Sequence, residues 1–369
     1  MSLFDLLQVI DRQVRPVETE EVPLIEAYGR VAAKALSSGR DMPPFDVSAL
    51  DGYALKGPGP RFVVKGLLEP LCEAAYDLGE GEALFVPTGG PFPEGSRFVA
   101  REHVTELGEA VAAGTGRDER KSVRKGDWLR TGQRLIEKGR VVGPAAMALL
   151  ALAGYETLQV YKRPSVAIVT TGSELKKGRI ADSNRFLLAG LVQRDGGAVV
   201  GLATADDEEG QIEEDLMRAS GARLLILTGG TSTGKKDLTK QVVKRLGYGF
   251  SLESPPIIPG KTMSFGRKGE ACFFILPGNP KAVRSLYELF VRRALLRMAG
   301  LRSEEKEYRL PVPEEIEKAG DKVMIVPVLV TSRPAAIEQM YPEEPNGFVV
   351  LEEGVERVEA GETVRVLGL

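Results

Sequence analysis

Four polar segments hold most of the residues in this chain that could do chemistry. They are Thr171-Gly172-Ser173-Glu174, Asp206-Asp207, Gly229-Gly230-Thr231-Ser232-Thr233-Gly234 and Pro277-Gly278-Asn279-Pro280. Each follows an apolar run of strand type. In the third, glycines let backbone amides approach an oxyanion or phosphate, and hydroxyls add donors. An ordinary strand-to-helix turn accounts for that run equally well. It is neither a Walker A loop nor a Gly-x-Gly-x-x-Gly fingerprint. In the fourth, Asn279 suits a helix cap and Pro280 a first helical turn, while free amides there could also hold a phosphate or a purine or pterin edge. Glu174, Asp206 and Asp207 could share Mg²⁺ with substrate oxyanions. Favourable charge at a helix start is the competing explanation for each.

Three further loops lie earlier in the chain. The run Phe45-Asp46-Val47-Ser48-Ala49-Leu50-Asp51-Gly52-Tyr53-Ala54 gathers Asp46, Ser48 and Asp51 after Pro43-Pro44. Pro87-Thr88-Gly89-Gly90-Pro91 is a stiff loop with one hydroxyl, and Arg124-Lys125-Gly126-Asp127 a basic turn. Plain turn chemistry explains all three as readily as a site does. His103 sits in a polar run and reads as a surface residue, Trp128 as packing.

Composition narrows the chemistry. The 369 residues include one histidine and two cysteines, Cys72 and Cys272, far apart. Multi-His zinc sites, His/carboxylate iron centres, zinc ribbons, iron–sulfur clusters and a disulfide framework are therefore set aside. Two thiols without a signal peptide fit a reducing cytoplasm. Net charge is −3, which argues against a nucleic-acid or membrane-surface binder. No apolar run reaches the roughly 18 residues of a membrane span. The longest, 144–154, reads as a buried helix.

The elements that must position these residues follow from periodicity. Ser2 caps a first helix with Leu6, Leu7, Ile10 and Val14 at helical spacing. A second helical stretch is expected over about 23–35. Two prolines at Pro43-Pro44 then forbid helix, and 41–139 reads as short strands of a small β domain. From Arg163 strands and helices alternate: strands at 166–170, 198–200, 224–227 and 273–276, with helices at about 183–195, 208–219, 238–246 and 281–299. That pattern predicts a mainly parallel sheet covered on both faces, with the four polar segments at one rim, outside the strands' carboxyl ends. Residues 302–369 return to short strands, with Asn346-Gly347 as a turn signal.

Taken in order, these segments resemble the molybdopterin molybdenumtransferase family (MoeA, gephyrin E domain). The resemblance rests on Pro43-Pro44-Phe45-Asp46-x-Ser48-Ala49-x-Asp51-Gly52-Tyr53-Ala54, on Thr88-Gly89-x-Pro91 with Glu94-Gly95, and approximately on Arg124 with Gly126-Asp127. It continues through Thr171-Gly172-x-Glu174-Leu175, Asp182-Ser183-Asn184, Gly229-Gly230-x-Ser232-x-Gly234 with Asp237, Pro259-Gly260-Lys261, Leu276-Pro277-Gly278-Asn279-Pro280, and Gly347-Phe348-Val349-Val350-Leu351 with Gly354-Val355-Glu356. The ordered set over about 300 residues is specific, although each motif alone is weak.

The resemblance implies a multidomain α/β homodimer. Residues 1–40 and 140–162 would form a helical linker domain, 41–139 an inserted β domain, 163–301 a molybdopterin-binding α/β domain and 302–369 a small β domain. The implied reaction inserts molybdate into adenylylated molybdopterin, releases AMP and uses Mg²⁺. A molybdopterin adenylyltransferase is a candidate further partner. Asp51, Glu174, Asp206 and Asp237 would be the catalytic carboxylates, with Glu174 and Asp206 toward the metal. Substrate would meet Thr171, Gly172, Ser183, Gly229, Gly230, Ser232, Gly234, Lys261, Pro277, Gly278 and Asn279. Asp51, Thr88 and Asp127 would act across the dimer. The family's pattern puts lysines where this chain has Ser254 and Ile258, and an acid where it has Ser173. Lys235 and Lys236 are the nearest substitutes in sequence. The alternative is a divergent paralogue that binds pterin, nucleotide or another anion without full transferase activity.

Overall fold

A computed structural model describes residues 2–72, 76–114, 118–229, 238–301, 306–318, 320–330, 336–337 and 345–368. The chain is a multidomain α/β protein that divides into two compact units. Residues 21–28 and 34–158 form one, and residues 1–20, 29–33 and 159–369 the other.

The first unit is built on a six-stranded sheet. Its strands are β1 (Gly52–Leu55), β2 (Arg61–Leu67), β3 (Glu82–Val86), β4 (Arg97–Ala100), β5 (Val104–Leu107) and β6 (Ala110–Ala113), in the order β4-β1-β3-β2-β6-β5. Only β2 and β3 run parallel. One face buries Tyr53, Leu55, Phe62, Val99 and Val111, the other Leu68, Leu84, Val86 and Phe98. Side chains protect the free edge of β4. Asp118 Oδ1 accepts from Phe98 N at 3.2 Å and Glu119 Oε2 from Ala100 N at 3.0 Å, in place of a neighbouring strand.

Two sequence expectations change here. The helix predicted over about 23–35 is a single 3₁₀ turn, Leu24–Glu26. The turn stops at Glu26 with Ala27 as its cap, and Gly29 at φ +71° keeps a helix from resuming. The apolar run 144–154 does form a helix, α1 (Pro144–Leu152), with Gly143 before it and Pro144 in its first turn. Only Leu150 of this uncharged helix is buried, however. Val141 is 51% exposed, and Ile25 on the adjoining 3₁₀ turn 80%. Apolar periodicity reported the helix but not what covers it.

The second unit holds an N-terminal helix, Leu3–Gln13, closed by a Ser2/Asp5 capping box. Its main sheet takes β7 (Ser165–Thr171), β8 (Ala198–Ala205), β9 (Leu224–Gly229), β10 (Gly249–Glu253), β12 (Ser264–Lys268) and β13 (Ala271–Leu276), in the order β8-β7-β9-β13-β12-β10. The four strands from β8 to β13 are parallel, and β12 is antiparallel to both neighbours. The hairpin β10–β12 was not legible in the sequence. Around it lie α2 (Ser173–Lys176), α3 (Ser183–Arg194), α4 (Glu209–Arg218), α5 (Leu238–Arg245), α6 (Pro280–Leu286) and α7 (Arg292–Met298). One sheet face packs Val166, Ile168 and Phe274 against Leu188, Val192, Phe290 and Leu295, the other Ala167, Val169 and Ile275 against Ile212, Leu216 and Val242. A π-helical turn, Tyr287–Val291, joins α6 to α7 and turns Glu288 inward.

The last residues form a sheet of β11 (Ile257–Ile258), β14 (Lys306–Pro311), β15 (Val323–Leu329), β16 (Gly347–Leu351) and β17 (Thr363–Gly368). The turn expected at Asn346-Gly347 is not a hairpin tip. Asn346 accepts from Val330 N and donates to Val330 O through its amide, and Gly347 opens β16. No helix among the described residues is long and apolar enough to cross a membrane.

Candidate functional site

In the second unit the parallel register brings strand ends together. Thr171 pairs with Ala205 and with Gly229, and Thr228 with Leu276. Three of the four polar segments thus leave one edge, and Asp206-Asp207 joins them directly after Ala205. Gly230, Ser232, Gly234 and Asp237, with Lys235 and Lys236, lie outside the described residues.

Asp206 and Asp207 do not cap α4. Glu208 holds that cap position without a side-chain bond. Both carboxylates turn to Ser173 instead. Ser173 Oγ donates to Asp206 Oδ1, its N–H reaches Asp207 Oδ2 at 3.2 Å, and Asp207 N donates to Asp206 Oδ1 at 2.9 Å. Glu174 is exposed beside them. A Cβ built on Gly172 would fall 2.9 Å from Glu174 Oε1, so the acid folds back over that glycine. Gly172 N itself donates to Ala205 O at 3.2 Å. Among the described residues no group of three or more His, Cys, Asp or Glu could hold a metal.

Gly229 is required by space and by backbone. Its φ is +104°, and an added Cβ would meet Thr171 O at 2.0 Å. Thr171 Oγ1 beside it is buried without a hydrogen-bond partner among the described residues.

On the α3 side of the sheet, Asp182 organises this edge, a role beyond those the sequence motifs imply. Oδ1 caps α3 by accepting from Arg185 N at 3.1 Å, and Oδ2 accepts from Thr170 Oγ1 at 2.5 Å and Thr204 Oγ1 at 2.9 Å. The signal was hydroxyls in otherwise apolar strands. Ser183, expected to meet substrate, is exposed, and its neighbour Asn184 is the buried residue that reaches the rim. Asn184 Nδ2 donates to Gly278 O at 2.8 Å and to Thr228 Oγ1 at 3.4 Å, and Thr228 donates on to Pro277 O at 2.8 Å. A carbonyl can only accept, so the nitrogen must face Gly278. The Pro277-Gly278 turn is thereby pinned from two elements. Asn279 serves as the α6 cap, its Oδ1 accepting from Lys281 N and Ala282 N. Lys261 is exposed and carries no hydrogen bond or ion pair among the described residues.

The remaining expected residues lie in the first unit. Asp51 Oδ1 accepts from both Thr88 N at 2.7 Å and Thr88 Oγ1 at 2.9 Å. Those two donors hold the carboxyl below its ordinary range. Asp127 is separate from them. It closes its own turn, Oδ2 accepting from Arg124 N at 3.0 Å. Asp46 links that turn to the 43–51 loop by accepting from Lys125 N at 2.8 Å.

Residues 1–154 match the family described as the MoeA N-terminal region (domain I and II), and residues 167–297 the probable molybdopterin binding domain. A molybdopterin molybdenumtransferase of Synechococcus elongatus is 30% identical over 82% of this chain and 81% of its own length. Molybdopterin molybdenumtransferase 2 of Mycobacterium tuberculosis is 28% identical over 98% of each chain. The solved molybdopterin biosynthesis MoeA protein of Pyrococcus horikoshii superimposes with a TM-score of 0.80 at 26% identity, covering 100% of this chain and 98% of that one. With one relative at that identity along most of both chains, and two family matches in the order of the motifs, the chain belongs to the MoeA family.

Proposed function

We propose that this chain is a molybdopterin molybdenumtransferase of molybdenum cofactor biosynthesis, inserting molybdate into adenylylated molybdopterin with release of AMP. The observation that carries the proposal is the rim in which Ser173 draws Asp206 and Asp207 beside the Thr171, Gly229 and Pro277-Gly278 strand ends. Backbone at those ends, opened by Gly229, suits a flat pterin and its phosphate. The pinned Pro277-Gly278 turn orients it. Asp206 and Glu174 fit Mg²⁺ only in company, because this cation takes one or two carboxylates and fills its shell with phosphate oxygens and water. When bound, Mg²⁺ offsets the charge that develops on the departing adenylate. Ser173 holds Asp206 and Asp207 together by donating to the first through its hydroxyl and to the second through its amide, which offsets part of their mutual repulsion. Asp51, ionised on its Thr88 clamp, is suited to hold charge and not to deliver a proton.

The homodimer is part of the proposal. The uncharged and only partly covered α1 supports it, since a second copy would cover that face. Cytoplasmic residence is part of the same proposal, supported by Cys72 and Cys272 being free thiols, as a reducing compartment keeps them. The alternative, binding without turnover, is favoured by Ser254 and Ile258 standing where the family pattern has lysines. Purified protein mixed with adenylylated molybdopterin, Mg²⁺ and molybdate decides between them. AMP and active cofactor are expected; tight pterin binding without AMP overturns the transferase reading.

A further inference from the structure

We infer that Ser48 is a positioning residue for Asp51 in the proposed reaction, on which this inference rests: its hydroxyl fixes the turn from which Asp51 presents one unshared carboxylate oxygen. Ser48 is 1% exposed, and each of its polar atoms is engaged. Its N–H donates to Gly90 O and its carbonyl accepts from Gly89 N, both at 2.8 Å. Its Oγ donates to Leu50 O at 2.6 Å and accepts from Leu50 N at 3.3 Å. The hydroxyl thus stands in for the backbone partners that Leu50 lacks in so tight a bend. Asp51 comes next and closes a ring by accepting from Thr88. Thr88 is fixed in turn. Gly90 N donates to Pro87 O at 2.8 Å, and Gly89, at φ +83°, fills the left-handed third position of that turn.

The same ring occurs a second time in this unit. Ser38 N donates to Gln133 O at 2.9 Å, and Ser38 O accepts from Gly132 N at 2.8 Å. Ser38 Oγ donates to Arg40 O at 2.6 Å and accepts from Arg40 N at 3.2 Å. Asp41 then accepts from Thr131 as Asp51 does from Thr88. Gln133 N donates to Arg130 O at 3.0 Å, and Gly132 has φ +82°. Ser-x-x-Asp facing x-Thr-Gly-x is therefore one folding device built twice.

The copies differ at the second carboxylate oxygen. Asp41 Oδ2 lies 3.8 Å from Lys125 Nζ of its own unit. Asp51 is exposed, both its bonds from Thr88 end on Oδ1, and it carries no ion pair among the described residues. One copy is closed upon itself, and the other holds out an oxygen. A carboxylate gripped from behind and open in front meets a cation or a donor without rearranging when it arrives. Losing the Ser48 hydroxyl leaves both polar groups of Leu50 without that partner, and the chain leading into Asp51 is then free to turn.

The test compares Ser48→Ala with Ser38→Ala in the full chain, because the two remove the same pair of bonds. Both should lower the urea midpoint by a similar amount. Ser48→Ala should raise the Asp51 pKa, followed by side-chain NMR titration. It should also reduce kcat for AMP release about ten- to a hundredfold, the scale of a slightly misplaced group, with KM changed less than about threefold. Ser38→Ala should shift the Asp41 titration, leave that of Asp51 as in wild type, and change kcat by less than about twofold. Ser48→Cys, close in shape but a weak donor, should fall between wild type and Ser48→Ala, and it carries the comparison if Ser48→Ala does not fold. Equal losses of kcat in Ser38→Ala and Ser48→Ala overturn the positioning role. So do a wild-type kcat and a wild-type Asp51 titration in Ser48→Ala or Ser48→Cys. Wild-type protein that releases no AMP overturns the transferase reading, and the Asp51 titration in the same variants then upholds or overturns the hold of Ser48 on Asp51.

Discussion

Asp51 and Thr88, 37 positions apart, are locked by two hydrogen bonds onto a single carboxylate oxygen, Oδ1. The clamp is not by itself a mark of function. Asp41 Oδ1 takes Thr131 N at 2.8 Å and Thr131 Oγ1 at 3.0 Å in the same way. The difference is that Asp51 has the family's motif around it. Both aspartates have carboxyls held low by their threonine donors. A folded pKa below the unfolded one gives stability that is full above about pH 4 and lost as pH falls through the folded value. Thr88→Val should therefore raise the Asp51 pKa toward about 3.9. Side-chain NMR titration would follow it, and an unchanged titration would contradict the clamp. Asp51→Asn should cost AMP release and lower the urea midpoint only slightly, because the amide oxygen can still accept from Thr88 while the charge is lost.

Gly229→Ala should destabilise the second unit by about 1–3 kcal/mol, the usual scale for a non-glycine residue forced into such backbone. The added Cβ would also press on Thr171 O, which no side-chain rotation relieves. Gly178, at φ +66° with open space around it, is the control. Alanine there meets only backbone strain. Urea unfolding of both variants should rank Gly229→Ala as the worse.

The two glycines also mark how far the sequence was legible. Elements with local signatures could be read: Asn279 before Pro280 at a helix start, the Ser2 cap, and the alternation that gives a parallel sheet. Contacts chosen by tertiary structure could not. Ser173 meets Asp206 across 33 positions, and Lys240 meets Ser254 from another element. The apolar spacing of residues 23–35 fits a helix, but the turn stops at Glu26, Gly29 is left-handed, and Ala32 pairs with Val160 as a bridge. The hairpin β10–β12 escaped because its strands lack alternation strong enough to stand out from loops. The Asp206 and Asp207 carboxylates were correctly placed at the rim, yet their engagement with Ser173 in place of α4 needed coordinates.

The polar network under α3 should carry more stability than any surface ion pair. Arg194 donates to Glu288 at 2.7 and 2.9 Å, and the Glu288 side chain is 1% exposed. Asp195 accepts from Tyr287 OH at 3.1 Å and Arg292 Nε at 3.2 Å. Burial works against the Arg194 charge, but the carboxylates of Glu288 and Asp195 outweigh it and raise its pKa. Removing Arg194 leaves the Glu288 carboxylate buried without its main partner, which costs about 3–5 kcal/mol. Arg194→Ala should lower the urea midpoint by that scale, and Glu288→Ala by less, because Arg194 is 31% exposed and keeps Asp195. The Arg194→Ala/Glu288→Ala double variant should lose much less than the sum of the singles. Additive losses would show that the pair is not coupled.

His103 and Glu119 form a pH-sensitive link over the β4 edge. Nδ1 lies 2.8 Å from Glu119 Oε2. That carboxylate raises the imidazole pKa from its ordinary value. The sign follows: the contribution is fully present below the unfolded value of about 6.5 and is lost as pH rises through the folded value. Between neutral and mildly acidic pH, Glu119→Gln should flatten this dependence in thermal melts. The same variant should loosen Ala100 N, visible as faster amide exchange there. A wild-type melt that does not vary with pH over this interval would remove the His103 contribution.

Helix α1 provides a direct test of assembly. Nine residues without a charge, eight of them not buried, are unusual on the surface of a monomer. If a second copy covers them, Ala148→Arg places a desolvated charge in that interface. Ala148 is exposed within one chain, so the substitution leaves the fold intact and should shift light scattering from dimer to monomer. Leu150→Ala separates the two effects. Leu150 is fully buried inside its own unit, and its truncation should cost about 2–5 kcal/mol of stability while the molar mass at a given concentration stays that of the dimer. A wild-type molar mass of one chain would remove the second copy as the occupant of this face. It would also confine the Asp51–Thr88 clamp to work within its own protomer.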